Sequence, residues 1–219
     1  KVHNFFVTRK PEENEPLISE MATIFRDSDY EIKPMLRHLF LSEAFANDYA
    51  QGALIKSPAE LLVSNARRLG TESINMDFLM TGMSSMSQEL MNPPNVAGWP
   101  GQRAWISPDT YVTRNTYNEV FVNPDLIRER GTNNPYIITD TMKFAEEFGI
   151  DEARPLAQAM VEHLLHLSPN EETMEFLVSV LVGSTAEETW SLSYPGAEDR
   201  VREFLIQVLP TATAPSKNV

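Results

Sequence analysis

The sequence has no cysteine, which removes disulfides, thiolate metal sites and cysteine nucleophiles from consideration. Positive charge is scarce too: eighteen Lys and Arg stand against thirty-one Asp and Glu, a formal net charge of -13. Such a chain repels phosphate backbones and anionic membrane surfaces unless its cations gather on one face. Arg9-Lys10, Arg67-Arg68 and the Arg128/Arg130 pair lie apart, each near acids, so no nucleic-acid partner is expected. No apolar run reaches the roughly 18 residues of a transmembrane segment. The opening KVHNFFVTRK lacks the layout of a signal peptide. Strand-like alternation is rare, and no fixed-period repeat or low-complexity tract stands out.

What is present is helix punctuation. A 219-residue chain with 42% hydrophobic content can bury a real core and suits one large domain or two small ones. Leu17, Met21, Ile24 and Phe25 recur at helical spacing, as do Ile32, Met35, Leu36, Leu39, Phe40 and Phe45 after the polar break Asp27-Ser28-Asp29. In 57-SPAELLVSNARRLG-70, Ser57 and Glu60 make a capping box, Pro58 fits the first helical position, and Gly70 ends the run. The segment 76-MDFLMTGMSSMSQELM-91 puts Met76, Leu79, Met80, Met83 and Met86 on one stripe, read as core packing. Ser107-Pro108-Asp109 opens a helix to about Val122, and Asn123-Pro124 begins a short one. Residues 151–167 and 168–182 read as a helix pair, the second capped by Ser168 and Glu171, and a last amphipathic helix covers about 197–209.

The expectation is an all-α fold, an irregular multi-helix domain. Its parts are a helical layer over 1–122, a connecting segment over 123–150, and a C-terminal helical hairpin plus last helix over 151–219; a single domain is the alternative. The tail TATAPSKNV is polar and expected to fray. The abrupt apolar opening, Val2, Phe5, Phe6 and Val7, without an initiator Met suggests a segment of something longer.

No residue set specifies a reaction. His163 and His166 could share a helix face, but they miss the H-E-x-x-H spacing and its general base. His3 and His38 have no evident partner. The string 82-GMSSM-86 lacks the second glycine of a nucleophile elbow and reads as helix interior. Asp27-Ser28-Asp29-Tyr30-Glu31 clusters oxygens but has neither the turn glycine nor the closing Glu of a calcium loop. With no glycine-rich phosphate cradle, no cofactor and no metal are expected.

One stretch fits no period: 91-MNPPNVAGWPGQRAWIS-107. Pro93 and Pro94 fix φ, Gly98 and Gly101 permit turns, and Trp99 and Trp105 therefore sit on a stiff frame. Asn95 can bond nearby backbone, and Arg114 can pair with Glu60 or stack on a Trp. These parts suit a structural plug, the favoured reading, and also a wall for a sugar or peptide. The candidate binding residues are Asn95, Trp99, Trp105, Arg114, Lys56 and Glu60.

The run Pro93-Pro94-Asn95-Val96-Ala97-Gly98-Trp99-Pro100-Gly101, then Ala104-Trp105-Ile106 and Arg114, resembles the PPNVxGWPGG signature with its following W-I and R of the DUF1800 family. Upstream, Phe5-Phe6-Val7 resembles the family's FV, Leu41-Ser42-Glu43-Ala44-Phe45 its S-E-x-F, and Lys56 to Gly70 its K-x-P-x-E-L and R-x-L-G. Four ordered matches over 1–115 are far more specific than any one; residues 120–219 match loosely. The sequence departs from the pattern at Ser87 and Gln102, where the family commonly has Gly. The resemblance implies a bacterial, usually exported protein of unassigned activity, periplasmic, cell-surface or secreted, often encoded beside a DUF1501 protein. It also implies that this chain is the C-terminal part of a larger domain whose N-terminal half is a partner. Two functions follow: a non-catalytic interaction or scaffold protein, or a hydrolase or carbohydrate-active enzyme sharing its site with that N-terminal half.

Overall fold

The computed structural model describes residues 1–7, 14–46, 54–165 and 169–211. It is all-α, with eleven helices among the described residues and very little strand. The helices are α1 (Val2–Phe6), α2 (Glu15–Asp27), α3 (Ile32–Phe40), α4 (Glu43–Ala46), α5 (Pro58–Arg68), α6 (Met76–Ser85), α7 (Pro108–Val122), α8 (Thr141–Glu146), α9 (Ala153–Leu164), α10 (Glu171–Val182) and α11 (Ala197–Thr211). Two short strands, β1 (Ser73–Ile74) and β2 (Ile137–Ile138), pair antiparallel with Ser73 opposite Ile138.

The described residues fall into two compact units, one within Lys1–Leu54 and the other within Ile55–Ala214. In the first, α2 packs on α3 around Met21, Met35, Leu39 and Val7, with Phe6, Phe25 and Phe45 against them. Edge-to-face contacts link Phe6 to Phe40 at 5.1 Å and Phe40 to Phe45 at 5.0 Å. His38 does have a partner: its Nε2 lies 3.0 Å from Glu20 Oε2 across the α2–α3 pair. His3 is buried, and neither ring nitrogen has a hydrogen-bond partner among the described residues.

The larger unit has one continuous core running from Leu61 through Phe121, Ile137, Phe144 and Met160 to Leu209. Segments on both sides of 123–150, and that segment itself, contribute to it. Helix α7 packs on α5, α6, β2 and α11, and α11 also packs on α8, α9 and α10. Local capping explains why these helices start where they do. Ser57 accepts from the Glu60 amide while Glu60 accepts from the Ser57 amide at 2.8 Å, and Ser107 with Thr110 repeats the arrangement at α7. Gly70, at φ 61, carries the left-handed turn that ends α5.

Several expectations change. Helix α10 is capped by Asn170, whose Oδ1 accepts from the Thr173 amide at 2.9 Å, in place of the expected Ser168 and Glu171; Ser168 lies outside the described residues. An Asn one residue before the helix reaches the third amide directly, and Glu171 instead faces Arg154 at 3.3 Å. No helix begins at Asn123-Pro124; the chain turns, and Arg128 ties the loop by bonding Asp125 and the Asn133 carbonyl. The Met stripe is half right. Leu79, Met83 and Met86 are buried, whereas Met76 and Met80 are exposed, because α6 begins at Met76 and turns only its 79/83/86 edge to the core.

Candidate functional site

The loop from Met91 to Trp105 divides into two physically different parts. Met91, Pro93, Pro94, Asn95, Val96 and Ala97 are all exposed, Met91 at 96% and Val96 fully. Asn95 holds the bend by accepting from the Ala97 amide at 2.8 Å, and the Gly98 amide returns to the Asn95 carbonyl at 3.0 Å. Gly98 at φ 83 and Gly101 at φ 69 take the left-handed region that the sequence assigned to glycine. Trp99 is half-buried. Trp105, closing a short 3-10 turn over Gln102–Trp105, is 6% exposed, and its carbonyl accepts from Thr110 Oγ1 at 2.9 Å. An anchored ring thus carries a displayed apolar tip.

Two of the sequence-flagged motifs meet through Arg114. Arg114, fully buried on α7, donates from Nη2 to the Lys56 carbonyl at 2.8 Å. It pairs with neither Glu60 nor any other carboxylate among the described residues, since Glu60 is exposed and taken up in capping α5. Lys56 places its ammonium 3.2 Å from Ser64 Oγ. Burial lowers its pKa from the ordinary 10.5 to about 8, with Arg68 adding to the fall and Glu60 partly opposing it. Between these two values the unfolded chain holds a proton that the folded chain has lost, so Lys56 makes stability rise with pH across that window. Asn65 of α5 donates to Asn118 Oδ1 of α7 at 2.8 Å, and buried Gln88 accepts from the Ala59 amide at 2.8 Å. Sequence reasoning missed Asn65, Asn118 and Gln88; an Asn at a core-facing helical position was the available signal.

Ser87 and Gln102, the two positions at which the resemblance led glycine to be expected, share one conformation. Ser87 has φ 69 and Gln102 φ 56, both left-handed. A Cβ there costs about 1–2 kcal/mol, which glycine avoids at some cost in unfolded-chain entropy. Gln102 recovers part through its side chain, which accepts from the Ile55 amide at 3.3 Å. Exposed Ser87 makes no side-chain bond of that kind among the described residues. Ser87→Gly is therefore expected to stabilise by about 0.5–1 kcal/mol, read as a higher urea midpoint; an unchanged or lower midpoint would refute the strain at Ser87.

The remaining candidates take structural places. His163 Nε2 lies 2.9 Å from the Arg68 carbonyl, and the ring packs near Phe144 and Phe148; His166 lies outside the described residues. The Asp27-to-Glu31 segment is the turn between α2 and α3, with Asp29 and Tyr30 at positive φ. Among the described residues no group of three His, Asp or Glu is placed to hold a metal ion, and no helix is long and apolar enough to cross a membrane.

The family model described as "Protein of unknown function (DUF1800)" matches residues 1–208, and the chain belongs to that family. The match extends into α11, well past residue 115. No curated protein and no solved structure matches the chain.

Proposed function

We propose that this DUF1800 chain is a non-catalytic interaction or scaffold protein that presents the 91–98 tip to a partner. The observation that carries this reading is the division of the loop: Trp105 is buried as an anchor while Met91, Pro93, Pro94 and Val96 stand in solvent on a frame stiffened by two prolines. A preformed apolar tip loses little entropy on binding. Hydrolase or carbohydrate-active chemistry would instead draw support from Trp99, Trp105 and Arg114 lining an open pocket with two carboxylates. Burial of Trp105 and Arg114, and the commitment of Glu60 to a helix cap, argue the other way. The partners that the family resemblance suggests are the N-terminal remainder of the same protein and a DUF1501-type protein. The compartment it suggests is periplasmic, cell-surface or secreted.

Isothermal titration of the full-length protein with a DUF1501-type protein tests this reading. Binding is expected, and Val96→Asp should weaken it at least about tenfold, since a charge at a desolvated centre costs upwards of 1.4 kcal/mol. The thermal midpoint should stay within about a degree, because Val96 contributes no burial to the fold. Absence of binding, or equal binding by the variant, would overturn it.

A further inference from the structure

A helix that turns its one apolar face to a core is satisfied, whereas a helix with two such faces leaves the second in water. Helix α3 has two. Met35 and Leu39 are buried with Met21 of α2, while Ile32, Leu36 and Phe40 form a ridge at intervals of four residues along another side. Ile32 is 56% exposed, Phe40 is 40% exposed, and Leu36 between them is half-buried. This ridge lines an open groove of about 670 Å³ together with Tyr30, which the turn from α2 holds at φ 65. Lys33 and Arg37 line the same groove one turn apart. Both are exposed, and neither side chain has a carboxylate or other hydrogen-bond partner among the described residues. Acids outnumber cations in this chain by thirty-one to eighteen, and neighbouring His38 does reach Glu20. Glu31 also lines the groove, at the start of α3, so its two cations leave it net positive in an acidic chain.

We propose that this face of α3 is a docking site for an acidic amphipathic helix of a partner protein. A ridge spaced by four residues packs between the corresponding rows of a second helix, and the apolar stripe of that helix covers Ile32, Leu36 and Phe40. Asp or Glu flanking the stripe meets Lys33 and Arg37, which supplies their counter-charge and fixes the register. A second copy of this chain does not fit by twofold pairing, since α3 laid against α3 sets these cations facing one another. An anionic membrane is repelled by the chain's net charge of -13. Neither this reading nor that of the 91–98 tip needs the other, and failure of either leaves the other intact.

The test uses the full chain and two synthetic helical peptides of about fourteen residues, roughly four turns. They share one leucine stripe, flanked by glutamate in the first and by lysine in the second. Fluorescence anisotropy of the labelled glutamate peptide should show saturable binding, at least about tenfold tighter than that of the lysine peptide and weaker as salt rises. Lys33→Glu combined with Arg37→Glu should reverse that preference. Ile32→Asp puts a charge on the ridge at the first position of α3, where a carboxylate suits the helix. It should weaken binding at least about tenfold without lowering the thermal midpoint. The charge-reversed variant alone decides if Ile32→Asp fails to fold. No binding of the glutamate peptide, equal binding of the two peptides, or an unchanged preference in the charge-reversed variant would overturn the proposal. Dimerisation of the parent that the charge reversal abolishes would also overturn it, by assigning the face to a second copy. Binding to anionic vesicles that the charge reversal abolishes would do the same, by assigning it to a membrane.

Discussion

Replacing Trp105 with alanine is expected to lower the unfolding free energy by about 3–5 kcal/mol, the usual cost of removing a buried tryptophan. The ring is 6% exposed, and its residue's carbonyl receives the Thr110 hydroxyl at the start of α7, so the cavity opens beside the capping box that starts that helix. In a domain of this size the loss corresponds to a fall in midpoint on the order of 10 °C. Trp105 lies outside the main apolar cluster, so repacking of that core does not refill the space. Trp99→Ala should cost much less, because that ring is already half in water. Chemical denaturation of both variants checks the difference; equal midpoints for the two would deny Trp105 its anchoring role.

Gly82→Ala is expected to destabilise by about 1 kcal/mol, against the general helix preference for alanine of about 1 kcal/mol. The reason is steric. A Cβ on Gly82 would lie 2.4 Å from Tyr117 Cε1 and 2.6 Å from Cζ. The tyrosine cannot step aside: it is 7% exposed, packs on Phe78 at 4.9 Å, and Phe78 in turn stacks on Tyr136 at 4.3 Å. Overpacking of this kind costs about 1–3 kcal/mol, which outweighs the propensity gain. Pairing Gly82→Ala with Tyr117→Leu should recover part of the loss, a coupling read directly from a double-mutant cycle. A stabilised Gly82→Ala single variant would contradict the close approach of α6 to α7.

The helices were legible because their signals are local. Ser57 with Glu60, Ser107 with Pro108, and the apolar periods of α2, α3 and α9 each decide a boundary within a few residues. The β1–β2 pair was not, since two-residue strands more than sixty positions apart carry no period. Gly82 was read as helix interior, which α6 confirms, but its need for glycine comes from a ring on another helix and carries no local signal. Of the candidate site, the glycine turns and the Asn95 bend were readable, because backbone conformation belongs to the segment itself. The choice between plug and platform was not, because it depends on which side of Trp105 the rest of the chain packs. Arg114 was expected to pair with Glu60 or stack on a Trp, and it donates to the Lys56 carbonyl instead. Thirty-one acids make a carboxylate partner the natural guess, and only the fold reveals that none among the described residues reaches it.

The central claim is that one loop combines a buried anchor with a displayed tip, and it is tested most directly by measuring stability and partner binding on the same two variants. Trp105→Ala should lose about 3–5 kcal/mol of stability, whereas Val96→Asp should keep the parent's midpoint and lose at least about tenfold in affinity for the DUF1501-type partner. The account is contradicted if Val96→Asp unfolds as early as Trp105→Ala, or if Trp105→Ala retains the parent's stability.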